Sequence, residues 1–117
     1  MQRAEVSRGE LWWVDWSPGR GSEQAGLRPA LVVQTNAGNH NPSYPNTIVV
    51  AVSTKGRELP FHIKLDPSPS NGLRTPSYAK CEQVFTISKE RLQDRVGKVA
   101  DDDFARVEAA LRMVLGV

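Results

Sequence analysis

The side chains best suited to chemistry stand where apolar runs begin or end. Arg28 lies directly before Pro29 and the run Ala30-Leu31-Val32-Val33. Its guanidinium is a planar fork of donors that fits a phosphate bidentately. The loop ahead of it carries Ser22, Glu23 and Gln24 between Gly21 and Gly26, which free the backbone at both ends. On spacing alone, Arg28 can equally close an ion pair with Glu23 at a sheet edge. Ser53-Thr54-Lys55 follows a second apolar run. Two hydroxyls and an ammonium at a strand end can contact a phosphate. The hydroxyls can also simply satisfy backbone groups where the strand exits.

Other reactive residue types read as structural. His62 alternates with Ile63 and is expected on the solvent side of its strand, without a catalytic role. Cys81, the only cysteine, reads as a small buried apolar residue, because no base is next to it in sequence. Trp12, Trp13 and Trp16 are expected mainly in packing, although one exposed member can stack on a base or on a partner. Asp101-Asp102-Asp103 suits the positive end of a helix dipole rather than a metal ion.

The elements that must position these residues form a β-rich front and a helical end. Gly9 to Trp16 alternates and is rich in aromatic residues, which predicts a strand ended by Ser17-Pro18-Gly19. Pro29 to Thr35 and Thr47 to Ser53 are nearly continuous apolar runs, as expected of strands buried on both faces. Asn36 to Asn46 reads as a loop. Phe61 to Leu65 alternates, with Phe61, Ile63 and Leu65 on one side and His62 and Lys64 on the other. Asp66 to Leu73 is a turn rich in Pro, Ser, Asn and Gly, and Ser77 to Thr86 reads as a further strand. Ser88 can cap a short helix from Lys89 to Arg95 that stops near Gly97. The terminal helix starts at Asp101, with Phe104, Val107, Leu111, Val114 and Leu115 in one apolar stripe. Short strands followed by short helices make a single α+β domain, residues 1–117, around a small, strongly bent sheet or barrel.

The chain has 117 residues, 39% hydrophobic and 24% charged, which suits a soluble globular domain. One cysteine excludes an intrachain disulfide and a Cys-rich zinc site, and fits a reduced cytoplasmic setting. The longest apolar run is Ile48 to Val52, too short for a signal peptide core or a membrane span. The net charge is only +2. It is unevenly spread, because residues 37–80 hold five basic side chains (Lys55, Arg57, Lys64, Arg74, Lys80) against two acidic ones. A polyanionic partner is expected on that third.

At these residues the sequence resembles the MazF/PemK family of toxins, the mRNA interferases. The resemblance begins at Arg8-Gly9-Glu10-Leu11-Trp12 and Asp15-Trp16-Ser17-Pro18. It continues through Gly21-Ser22-Glu23-Gln24, Gly26 and Arg28-Pro29-Ala30-Leu31-Val32-Val33-Gln34. It extends over Ile48-Val49-Val50-Ala51-Val52-Ser53-Thr54, Leu59-Pro60-Phe61, Cys81-Glu82-Gln83-Val84 and Lys89-Glu90-Arg91-Leu92. It implies an SH3-like β-barrel with short helices and a C-terminal helix, usually a homodimer. It also implies cleavage of single-stranded RNA without a metal or other cofactor, by attack of the neighbouring 2′-hydroxyl. The products would be a 2′,3′-cyclic phosphate and a 5′-hydroxyl.

The family's catalytic pair is the arginine of the "RP" motif, here Arg28, and a threonine closing the next strand. This chain reads Ser53-Thr54 at that point, so either hydroxyl can fill the role. By the resemblance, Ser22, Glu23, Gln24, Glu82 and Gln83 read bases, while Lys55, Arg57 and Arg74 contact the RNA backbone. An arginine is a poor base at neutral pH, so Arg28 is expected to stabilise charge rather than move a proton. The implied partner is an antitoxin whose acidic, disordered tail folds into the RNA groove. Two other readings share the fold. One is a toxin of CcdB type that binds DNA gyrase, and the other is an inactive relative that binds only its antitoxin.

Overall fold

The structure is a computed structural model that describes residues 5–16 and 26–117. Among the described residues, six strands form one antiparallel sheet: β1 (Glu10–Asp15), β2 (Leu27–Val32), β3 (Asn46–Ser53), β4 (His62–Leu65), β5 (Ser77–Ser88) and β6 (Leu92–Lys98). Their spatial order is β4-β5-β3-β2-β1-β6. The described residues also form the helices α1 (Asn36–Asn39) and α2 (Asp101–Leu115).

The strand alternation sorts the apolar residues into two cores. Leu11, Leu31, Val50, Val52, Ile63, Leu65, Ala79 and Cys81 pack on one face, beneath Val107 and Ala110 of α2. Trp12, Val14, Ala30, Val32, Val49 and Ile87 pack on the other. The expectation that the second and third strands are buried on both faces therefore holds. Arg8 fastens α2 to the sheet: its Nε donates to the Val33 carbonyl (2.9 Å) and a terminal nitrogen pairs with Glu108 (3.0 Å). Its guanidinium also lies 4.5 Å from the Phe104 ring centroid.

Among the described residues, the hydrogen-bonded sheet does not close into a full barrel. The turn between β4 and β5 seals the seam instead, packing against the far edge strand β6. The Lys98 amide donates to the Ser70 carbonyl (2.8 Å). Asn71, buried to 2% exposure, holds that turn together. Its Oδ1 accepts from the amides of Ser68 and Leu73, and its Nδ2 donates to the Asp66 carbonyl (2.8 Å). Gly72 has φ +71° and lies against the Val96 carbonyl, so a side chain is excluded there by both backbone and space.

Five local expectations change. The segment from Lys89 is helical only for one 3-10 turn, Lys89–Arg91, capped by Ser88 as expected. It then becomes β6, because the edge of β1 is completed by pairing Leu11 with Gly97 and Trp12 with Arg95. The buried Lys89 ammonium donates to the carbonyls of Gly38 and Asn41, tying this turn to the end of α1. The Asn36 to Asn46 segment contains α1, whose Asn39 is buried and bonded to Gln34 and Thr47. The second strand starts earlier and ends earlier than expected, at Leu27 and Val32, and the fifth runs on to Ser88. On α2, Val107 and Ala110 are buried, but Leu115 is 59% exposed and leaves the stripe.

The close contact at the seam gives a direct test. A Cβ on Gly97 would stand 2.4 Å from the Asn71 backbone. Gly97→Ala is expected to lower the unfolding free energy by about 1–3 kcal/mol, read from urea denaturation.

Candidate active site

A cavity of about 730 Å³ opens at one end of the sheet. Arg28, Ser53, Thr54 and Arg74 all line it. The pairing of β2 with β3 explains how the first two meet. Ala30 lies across from Ala51, Leu31 from Val50 and Val32 from Val49. Counting this register two residues further sets Arg28 across from Ser53. Strand alternation then gives Arg28 and Ser53 a common face. The Ser53 hydroxyl accepts a hydrogen bond from the Lys55 amide (3.0 Å) and keeps its own proton to donate.

Arg74 reaches the cavity because the seam turn places it there, directly after Leu73, whose amide is held by Asn71. Trp13 also lines the cavity and is 39% exposed, whereas Trp12 and Trp16 are buried. The expected division of the tryptophans, with one member exposed, is therefore met by Trp13.

The remaining candidates fall into three groups. Ser22, Glu23 and Gln24 lie outside the described residues. Lys55 and Arg57 are exposed on the strap between β3 and β4 and do not line the cavity. Two of that strap's backbone amides donate to side-chain acceptors. The Lys55 amide binds Ser53, and the Arg57 amide donates to His62 Nδ1 (3.1 Å). Gly56 packs on the Tyr78 ring, where a Cβ would come within 2.1 Å of the ring. Glu82 and Gln83 sit in a bulge of β5. The register jumps from Val50 opposite Val84 to Ala51 opposite Lys80, so residues 81–83 bow out of the ladder with β3.

His62 corrects the sequence expectation. Its side chain is only 6% exposed, and Nε2 lies 2.7 Å from a Glu82 carboxylate oxygen. The polar side of its strand is covered by the strap, which folds back over it, and by the β5 bulge, 20 residues away in sequence. Cys81 is fully buried, as expected. Burial, aided by the neighbouring Glu82 charge, pushes its thiol up from 9.0 to about 11. Among the described residues, no group of three or more His, Cys, Asp or Glu side chains is placed to hold a metal ion. No helix there is long and apolar enough to cross a membrane.

Residues 7–115 match the family model described as the PemK-like, MazF-like toxin of type II toxin-antitoxin systems. The chain belongs to the PemK/MazF toxin family. It is 36% identical over 114 residues to Endoribonuclease EndoA of Bacillus subtilis (strain 168), covering 96% of each chain. Its fold matches that of MazF from Deinococcus radiodurans with a TM-score of 0.81 at 24% identity, covering 97% of this chain and 99% of that one. A mycobacterial endoribonuclease in complex with its cognate antitoxin matches with a TM-score of 0.79 at 25% identity, covering 96% of each chain. The open-seamed sheet with its C-terminal helix is thus the PemK/MazF fold.

Two outcomes follow from the site's construction. Gly56→Ala in this toxin is expected to displace the strap from Tyr78, read as faster amide exchange at Lys55 and Arg57, while the core transition in urea is retained. Cys81 is expected to resist iodoacetamide at pH 8 until the protein is unfolded. Because its folded pKa is raised, its contribution to stability is full below pH 9 and is lost as the pH climbs toward 11. Cys81→Ala should remove that segment of the stability profile.

Proposed function

We propose that this PemK/MazF toxin is a sequence-specific endoribonuclease acting on single-stranded RNA. The observation that carries the reading is the placement of Arg28 and Ser53 on one cavity, in a chain 36% identical to Endoribonuclease EndoA.

In the proposed reaction the 2′-oxygen attacks the adjacent phosphorus and loses its proton to solvent. A 2′-O–P bond forms and the P–O5′ bond breaks. The 5′-oxygen leaves and takes a proton from water, giving a 2′,3′-cyclic phosphate and a 5′-hydroxyl. Negative charge builds on the non-bridging oxygens. Arg28 meets it with two fixed donors, and Ser53 adds a neutral one through the proton it retains. The register with β2 favours Ser53 over Thr54, which is one residue out of phase. Preorganised donors of this kind typically stabilise the transition state by about 3–4 kcal/mol each. The scheme routes no step through a metal or cofactor.

Arg74 borders the same cavity and is suited to a neighbouring phosphate, as Lys55 and Arg57 are along the strap. Ser22, Glu23, Gln24, Glu82 and Gln83 are the proposed base readers. A homodimer would complete the groove, and the acidic, disordered tail of a cognate antitoxin would occupy it and fold on binding. The whole chain acts as a single domain in the cytoplasm, where such RNA is found.

Digestion of a single-stranded RNA pool tests this directly. Products with 5′-hydroxyl ends are expected, in equal yield with and without EDTA. Arg28→Ala should slow cleavage about 10²–10³-fold. Ser53→Ala should cost at least about tenfold and Thr54→Ala much less. Wild-type rates for Arg28→Ala would sink the mechanism.

A further inference from the structure

We propose that His62 is a positioning residue that sets Glu82 to read a base through an amino group, and the inference rests on the nuclease reading above. The hydrogen bonds fix the imidazole's state. A backbone amide can only donate, so Nδ1, which receives the Arg57 N–H, carries the lone pair. The neutral ring then bears its proton on Nε2. That proton points at Glu82, 2.7 Å away. The ring is held from a third side by Phe61, edge-on with centroids 5.5 Å apart.

The consequence falls on Glu82. One carboxylate oxygen is taken by His62. The other has no hydrogen-bond partner among the described residues, and the side chain is 34% exposed. Glu82 projects from the β5 bulge, clear of the ladder with β3. An ionised carboxylate only accepts hydrogen bonds. Its unused oxygen therefore selects a base edge that donates: the amino group of cytosine or adenine, or the N–H and amino edge of guanine. Uracil is disfavoured, because its single N–H is flanked by two carbonyl oxygens that repel the carboxylate. The same imidazole pins the strap bearing Lys55 and Arg57, so base reading and backbone contact share one support.

Two isosteric substitutions separate these tasks. The His62→Gln amide nitrogen can replace Nε2–H toward Glu82, but it leaves the Arg57 amide without its acceptor. The His62→Asn carbonyl can replace Nδ1 toward Arg57, but it does not reach Glu82. Both variants, with Glu82→Gln and Arg28→Ala, would be run on a randomised single-stranded RNA pool, and 5′ ends sequenced. Folding of each variant is checked by thermal melting.

In the parent, one position of the cut site should exclude uracil. His62→Asn and Glu82→Gln should each reduce that discrimination about tenfold at the same position, with the others unchanged. His62→Gln should keep the discrimination and raise KM more than it lowers kcat. Glu82→Gln leaves the buried ring untouched, so it remains informative if both His62 variants fail to fold. The positioning role is overturned if Glu82→Gln, or a folded His62→Asn, keeps the parental preference at every position. In that case the nuclease reading still stands, provided that Arg28→Ala is slow. A parent protein that cuts no RNA overturns both.

Discussion

Burial of β2 and β3 on both faces is the constraint from which the site follows. A strand without a wet face cannot carry an unpaired charge in its middle, because desolvating it is too costly. Ala30, Leu31, Val32, Val49, Val50 and Ala51 are all fully buried. Polar chemistry is thereby pushed to the strand ends. Because the two strands are antiparallel, the start of one and the end of the other fall at the same end of the sheet. Arg28 and Ser53 are brought together by hydrophobic patterning, without any contact between them having to stabilise the fold.

The walls around this pair differ in how firmly they are held. The seam turn is anchored from inside, with Asn71 satisfying three backbone groups and glycines at 72 and 97 allowing backbone to meet backbone. Unfolding it would expose a buried amide and break the join between the sheet's edges. The strap from Thr54 to Pro60 has no fully buried side chain and is held by the Ser53 and His62 acceptors, the His62 amide's bond to the Leu59 carbonyl and the contact of Gly56 with Tyr78. Segments with few buried apolar contacts open at low free energy. The Arg74 wall is thus the rigid one, and the strap that continues from Thr54 at the cavity's other side is the segment able to adjust.

The sequence revealed what depends on local pattern. Alternation located β1 and β4, a continuous apolar run located β3, and the position of Arg28 before an apolar run placed it at a strand end, where the cavity lies. What it hid depends on distant partners. Leu92 to Lys98 has a helix-compatible composition, yet the open edge of β1 recruits it as a strand. His62 shares the polar side of β4 with exposed Lys64, and what buries it is the fold-back of the strap together with the distant β5 bulge. Asn71 looked like an ordinary turn residue, because nothing local shows that β6 covers it. The bulge that presents Glu82 is a three-residue mismatch between β3 and β5, which neither strand's own sequence can express.

Charge follows the same division between local and global. The net +2 counts acids that are already engaged elsewhere. Glu108 is paired with Arg8, and Asp103 with Arg106, both on α2. Glu10 is taken by Arg95 and by the Trp12 indole. In the middle third, Lys64 is near Asp66, but Lys55, Arg57 and Arg74 stand exposed on the strap and at the cavity. The molecule is 41 Å long, and charges in about 0.1 M salt are screened beyond roughly 10 Å. A polyanion approaching the cavity therefore meets the local surplus rather than the molecular total. The same holds for RNA and for an acidic peptide tail, so a nearly neutral protein can present a basic site to either.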